Sequence, residues 1–249
     1  MTALALCSRL ERTESARREP AVPRTAPDRR PLERRGRPVN VAVLGSGTLG
    51  SAMSRLLSRS GHQVVVGSRD PARARALGGP FGRAVEVASL ADAAASAEVL
   101  VLATLWADTE EVLAACGPLD GRVLVDCTNP EATSGRALVV GHTTSGAETI
   151  AAWAPGARVV KAFNHVYAEI LDEGPRFGAA TAAVFVCGDD PDARHVVAEL
   201  AASCGFQPVD AGALATARSL EPLAMLMVEL VRGQGRAPGG AAIGLLERS

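Results

Sequence analysis

The chain has 249 residues, 47% of them hydrophobic and 3% aromatic, so it can fill an aliphatic core for one large α/β domain or two unequal ones. Its formal net charge of −1 gives no bulk attraction for nucleic acid or an anionic membrane, and no window approaches 18 uninterrupted apolar residues, which argues against a transmembrane span. The cysteines, Cys7, Cys116, Cys127, Cys187 and Cys204, lack metal-binding spacing and read as reduced thiols of a cytoplasmic protein.

Charge is unevenly spread. Residues 1–37 hold ten Arg against five acidic residues, and five prolines fall within residues 1–38. With no sustained apolar period, residues 1–38 are expected to be a disordered Arg/Pro-rich extension. A targeting peptide, a nucleic-acid tail and a dispensable extension are all open readings. The interspersed Glu11, Glu14 and Glu19 argue against secretion, and the last reading is the plainest.

Order begins at Val39. Val39–Leu44 is a short apolar run suited to a strand buried on both faces, and it leads into Gly45-Ser46-Gly47-Thr48-Leu49-Gly50. An apolar helical period through Leu49, Met53, Leu56 and Leu57 follows, Gly61 stops it, and Val64–Val66 makes a second strand. This context turns a glycine pattern into a dinucleotide-binding fingerprint. Gly45 permits the tight turn, Gly47 lets backbone amides approach a pyrophosphate, and Gly50 lets the helix pack close on the strand. The pyrophosphate is expected at the helix N-terminus, where free amides and the dipole favour an anion.

The tip of the second strand decides between NAD and NADP. An NAD site is expected to place a carboxylate there, whereas this strand ends in Gly67-Ser68-Arg69. A hydroxyl and a guanidinium suit a 2′-phosphate, so NADP(H) is the expected dinucleotide. Asp70 lies within a two-residue register shift of the tip. It is expected to face away and cap the next helix, with Pro71 at the first helical position. Arg73 and Arg75 either add a phosphate contact or line a solvated face.

The strand–helix rhythm then repeats. Strands are expected at Val99–Ala103, Val123–Asp126 and across "ARVVKAFNH", with helices from about Asp108 and after Thr144-Ser145. In a parallel sheet, ligand-facing residues gather at strand carboxyl ends. Thr104, Leu105, Trp106, Thr128, Asn129, Pro130, Asn164 and His165 all fall there. Lys161, the only lysine beside 25 arginines, is expected partly buried with its ammonium reaching outward. Further on come a strand near Val184, a helix opened by Pro191, a short strand at Gln207–Val209 and a long apolar helix in "ALATARSLEPLAMLMVELVRG". Met225 and Met227 in that helix suit the core or a subunit interface, and Arg218 and Glu221 could face the cleft. The glycine-rich end reads as loop with a frayed helix.

The blocks "VAVLGSGTLGSAMSRLLSRSGHQVVVGSRDP", "LVDCTNP", "TSGAE", "ARVVKAFN" and "VDAGALATARSLEPLAMLMVEL" together resemble the NADP-dependent coenzyme F420 oxidoreductases, from about Val39 to Leu230. The resemblance implies an α/β, Rossmann-type parallel sheet with helices on both faces. Residues 39–165 would form the NADP-binding domain, and 166–249 a smaller C-terminal domain completing the acceptor cleft. It implies hydride exchange between NADP(H) and a deazaflavin, coenzyme F420, by a homodimer. Gly45, Ser46, Gly47, Thr48 and Leu49 would cradle the pyrophosphate, and Ser68 and Arg69 would meet the 2′-phosphate. Thr104, Trp106 and Asn129 would flank the nicotinamide, with Asn164 at the acceptor side. Two departures lie near the acceptor. His165 follows "KAFN" where relatives usually have a small residue such as Thr, and Thr104-Leu105 stands where many read Val-Pro. A packing or hydrogen-bonding ring is the favoured reading of His165 and a proton donor the other. The same unit resembles the reductase domain of the Steap metalloreductases, so flavin, metal or a small imine or carbonyl are alternative acceptors. A non-catalytic NADPH sensor is a further alternative.

Overall fold

The computed structural model describes residues 37–76, 81, 85–132, 137–235, 237, 240–246 and 248, all within one compact unit, Arg34–Ser249. Apart from Arg37 and Pro38, the extension expected to be disordered lies outside the described residues.

Eight strands form one sheet. They are β1 (Asn40–Leu44), β2 (Gln63–Ser68), β3 (Glu86–Ser89), β4 (Val99–Leu102), β5 (Val123–Asp126), β6 (Arg158–Lys161), β9 (Ala183–Gly188) and β10 (Gln207–Gly212), in the order β10-β9-β6-β5-β4-β1-β2-β3. All neighbours are parallel except β6 and β9. The short β7 (Arg176–Phe177) and β8 (Ala180–Thr181) form a separate antiparallel pair. The chain moves outward from β1 to β2 and β3, then crosses back to β4 beside β1. That reversal opens a crevice at the carboxyl ends of the strands, where ligands of such sheets bind.

Strand alternation divides the core. Val41, Val43, Val99, Val101, Val123 and Val125 face one side, packing with α1 (Thr48–Arg59), α6 (Ala168–Glu173) and α7 (Pro191–Ser203). Ala42, Leu44, Leu100, Leu102 and Leu124 face the other, under α3 (Leu90–Ser96), α4 (Thr109–Cys116), α5 (Gly146–Trp153) and α8 (Ala217–Val228). Both faces are aliphatic, and the Rossmann-type sheet covered by helices on both faces is present as expected. No described helix is long and apolar enough to cross a membrane.

Three expectations differ from what the fold does. Residues 86–89, read only as an entry segment, form the edge strand β3 against β2. The smaller C-terminal domain expected from residue 166 is not a separate body, because β9 and β10 extend the same sheet through β6. The apolar β9 and the short β10 suggest from sequence that a sheet continues past β6, whereas the reversed direction of β9 leaves no trace in the alternation of side chains. Residues after Gly233 carry no described helix, contrary to the frayed helix expected there. The apolar α8 runs instead into a π-helical turn at Glu229–Gly233.

Candidate active site

The glycine turn occupies the carboxyl end of β1. Gly45 has φ of +127°, and a Cβ there would lie 2.5 Å from the carbonyl oxygen of Ala103. A Cβ on Gly50 would collide with the carbonyl of Gly45. Gly47 meets nothing within 4 Å and is the N-cap of α1 without a side-chain cap. Two glycines thus permit the turn, and the third leaves an approach to the free amides of the first helical turn. Ser46 is half-buried, Thr48 is exposed, and Leu49 packs on the core edge. These residues fit the diphosphate of a dinucleotide.

The tip of β2 is built from Ser68, whose Oγ accepts from the Asp70 amide and donates to the Asp70 carbonyl, both at 3.2 Å. Asp70 Oδ1 accepts from the Arg73 amide at 2.9 Å, so its carboxylate caps α2 (Pro71–Ala76), as the sequence suggested. Arg75 donates to the Val87 carbonyl, and Arg73 is exposed on α2. Arg69 reaches across to the start of α4 (Thr109–Cys116). Its guanidinium lies 3.0 Å from Asp108 Oδ2 and 3.5 Å from Glu111 Oε2.

After β4, Thr104 Oγ1 shares a hydrogen bond with Thr109 Oγ1 at 2.9 Å, and Leu105 is 76% exposed. The Trp106 ring packs on Trp153 with centroids 5.2 Å apart. At the tips of β5 and β6, Asn129 Nδ2 donates to the Asn164 carbonyl at 2.9 Å, and Asn164 Nδ2 donates to Asn129 Oδ1 at 3.0 Å and to the Leu220 carbonyl at 3.0 Å. The two asparagines therefore brace one another across neighbouring strands and tie both to α8. Phe163, just before, adopts φ of +61° while almost wholly buried against Phe206, a conformation that costs a non-glycine residue about 1–3 kcal/mol. The turn it makes carries Asn164 and His165 out of the strand direction.

His165, a candidate for the acceptor side, is turned into the core beside Asn164. It is 5% exposed, its Nε2 lies 3.1 Å from the Ala183 carbonyl, and its ring packs on Phe185. Burial holds its pKa below the usual histidine value despite the bond to Ala183. The ring packs and hydrogen-bonds inside the fold, its Nδ1 3.3 Å from Asn164 Oδ1.

Lys161 also departs from expectation. Its ammonium is fully buried and donates at 2.8 Å to Asp126 Oδ2, to the Thr128 carbonyl and to Glu221 Oε1. Asp126 and Glu221 are likewise fully buried. Asp126 Oδ1 accepts from the amide and hydroxyl of Thr128, and Glu221 accepts from the amides of Gly146 at 2.9 Å and Ala147 at 3.1 Å. Burial by itself would depress the Lys161 pKa. The charges and hydrogen bonds of Asp126 and Glu221 outweigh it and raise the value above 10.5. A Cβ on Gly146 would lie 3.1 Å from Pro130, 3.1 Å from Trp106 and 3.2 Å from Glu221, so glycine lets α5 begin against all three. Arg218, expected toward the cleft with Glu221, pairs instead with Glu148 of α5 through two bonds of 2.9 and 2.6 Å.

Sequence reasoning missed this cluster, although signals were present. A lone lysine stands in an arginine-rich chain, a carboxylate ends the apolar run "VLVD", and another interrupts the apolar helix at "SLEPLAML". Each needs a partner if buried, but which partner is settled only by the sheet. Among the described residues no group of three or more His, Cys, Asp or Glu is arranged to hold a metal ion.

The glycine turn, the tip of β2 with Ser68 and Arg69, and the crevice beside β1 together form a site shaped for a dinucleotide. Residues 40–130 match the family model described as NADP oxidoreductase, coenzyme F420-dependent. An F420-dependent NADP reductase of Methanothermobacter thermautotrophicus is 30% identical over 218 residues, covering 81% of this chain and 93% of the relative. A solved structure from Arthrobacter sp. FB24, carrying the name F420-dependent NADP reductase, is 37% identical with a TM-score of 0.72, covering 80% of this chain and 96% of its own. The chain belongs to the coenzyme F420-dependent NADP oxidoreductase family. It is also 37% identical over 188 residues to the metalloreductase STEAP3 of Rattus norvegicus, covering 76% of this chain but spanning 37% of the relative's length.

Proposed function

We propose that the protein transfers hydride between NADP(H) and a deazaflavin, coenzyme F420. The observation that carries the reading is the composition of the strand tips. Where the nicotinamide is expected, the structure offers a self-braced amide pair, Asn129 and Asn164, and the Trp106 ring, while the nearby histidine is turned into the core. Among the described residues, these three side chains can align flat rings and are themselves neither acid nor base. A bound nicotinamide would supply a hydride from its C4 carbon and a bound deazaflavin would accept it at C5, the accompanying proton coming from solvent. The chain's contribution is geometric: the glycine turn anchors the diphosphate, Ser68 and Arg69 address the 2′-phosphate, and the amide pair fixes the crevice floor. Holding the two rings at about 3–3.5 Å is then the main catalytic task. The resemblance extends the proposal to a homodimer.

The identity to the metalloreductase STEAP3 supports a second reading, in which a flavin takes the hydride and passes electrons onward. The deciding experiment mixes the purified protein with NADPH or NADH and with F420 or a flavin, following the NADPH and F420 absorbance bands together. Loss of both bands with NADPH and F420 is expected. NADPH consumption with flavin alone would transfer the assignment to the second reading, and tight NADPH binding without turnover of either acceptor would leave a sensor.

A further inference from the structure

The contact between Arg69 and the start of α4 links two parts of the cofactor crevice. In the sheet, β1 lies between β2 and β4. A side-chain bridge from Arg69, just after β2, to Asp108 and Glu111, after β4, therefore spans the carboxyl end of β1, where the glycine turn begins. Asp108 occupies the N-cap position of α4, yet its side chain caps no amide there. An N-cap aspartate ordinarily gains stability by accepting from the first helical turn. Here the carboxylate faces Arg69 at 3.0 Å instead, and Glu111 from the first turn of α4 approaches the other guanidinium nitrogen at 3.5 Å. The guanidinium is thus met by carboxylate oxygens on two of its nitrogens, the donors that a phosphate would also engage.

We propose that Asp108 and Glu111 are specificity-determining residues that compete with the 2′-phosphate of NADP(H) for Arg69. The inference rests on the assignment of Arg69 to that phosphate. NADH carries no group that requires Arg69 to let go, so it binds with the bridge in place. NADPH must displace both carboxylates from the guanidinium before its phosphate can engage it. The carboxylates thereby lower the affinity for NADPH relative to NADH, keeping the preference for the phosphorylated dinucleotide smaller than Arg69 alone would make it. Arg69 is 50% exposed and Glu111 71% exposed at the side chain, so solvent screens the pair and the effect is modest.

The test is equilibrium titration of NADPH and NADH into four forms of the full chain: wild type, R69A, the double variant D108N/E111Q, and the triple variant combining all three. The double variant is expected to bind NADPH about 2- to 5-fold more tightly, with NADH unchanged. R69A is expected to weaken NADPH about 10- to 100-fold and leave NADH nearly untouched. In the R69A background, the two amide substitutions should no longer tighten NADPH. An unchanged or weaker NADPH affinity in the double variant overturns the proposal, as does equal tightening of both dinucleotides. Tightening of undiminished size in the triple variant also overturns it, since the carboxylates would then act on the phosphate without Arg69. If R69A weakens both dinucleotides equally, the phosphate assignment itself fails, and that result is distinct from a silent double variant beside a phosphate-selective R69A.

Discussion

Lys161 shows how far a single side chain's role can be from its sequence context. A lysine at the end of a strand, "RVVK", usually extends its stem over apolar surface and keeps its ammonium wet. In this fold the neighbouring strand tip supplies Asp126 and the late helix supplies Glu221, and the ammonium is enclosed with three oxygens at 2.8 Å. A buried charge is tolerable only when its partners and hydrogen bonds are complete, and removing one partner leaves the others uncompensated. Lys161→Met leaves two carboxylates buried without their cation. It should destabilise the protein by about 3–5 kcal/mol in urea unfolding. A loss below about 1 kcal/mol would mean that water or a rearranged backbone satisfies Asp126 and Glu221. The cluster draws on the separated blocks "LVDCTNP", "TSGAE", "KAFN" and "LEPLA". Asp126, Gly146, Lys161 and Glu221, one from each, meet at a single point.

Two elements determine the crevice: the turn between β1 and α1, and the start of α5. At the turn, the glycines are not equivalent. Gly50 has no room for a methyl group beside the Gly45 carbonyl, whereas Gly47 faces open space with ordinary backbone angles. Gly50→Ala should therefore destabilise the fold by about 1–3 kcal/mol through overpacking of α1 on β1. Gly47→Ala should leave the melting temperature unchanged while weakening NADPH more than about 10-fold, because its methyl stands where the diphosphate approaches. Calorimetry beside cofactor titration separates the two. A Gly47→Ala protein that binds NADPH normally would remove the diphosphate from this turn. At α5, the amides of Gly146 and Ala147 are satisfied by the Glu221 carboxylate rather than by a phosphate. That helix start is accordingly a structural joint, whereas α1 presents an open one at the glycine turn.

At the scale of the molecule, buried titratable groups set a pH window for stability. Burial lowers the pKa of both His62 and His165 below 6.5. Their neutral forms are favoured in the fold, so their contribution is intact above about 6.5 and is lost as pH falls through the folded values. His62 has a clear reason to stay neutral: its Nδ1 accepts from the Val39 amide, leaving Nε2 to donate to Ser203. On the alkaline side, burial pushes the Cys116 thiol up to about 11 and the Cys187 thiol up to about 12 from 9.0, and raises Cys127 and Cys204 as well. These thiols stay neutral when folded but ionise when unfolded, so stability declines as pH rises above about 9. The raised Lys161 pKa adds a further loss only above about 10.5. Stability is expected to be flat between about pH 6.5 and 9, falling on the acid side by up to about 1.4 kcal/mol per pH unit for each histidine. Urea midpoints measured across that range check the expectation, and a midpoint unchanged down to about pH 5 would contradict it.

What the sequence determined by itself was local. The strand–glycine turn–helix unit, the Asp70 cap, the strand Val123–Asp126 and the helix opened by Pro191 follow from side-chain periodicity and backbone preferences within a few residues of one another. The site was legible as far as the glycine turn and the tips of β2, β4, β5 and β6, because a parallel sheet delivers its strand ends to one edge. Tertiary structure alone decided the direction of β9, the inward turn of His165, the burial of Lys161 and the engagement of Arg69 by Asp108 and Glu111. Each of these depends on pairing between residues 18 or more positions apart. The energy of a buried charge or a reversed strand is set by what lies across the sheet, which no local pattern of residues specifies.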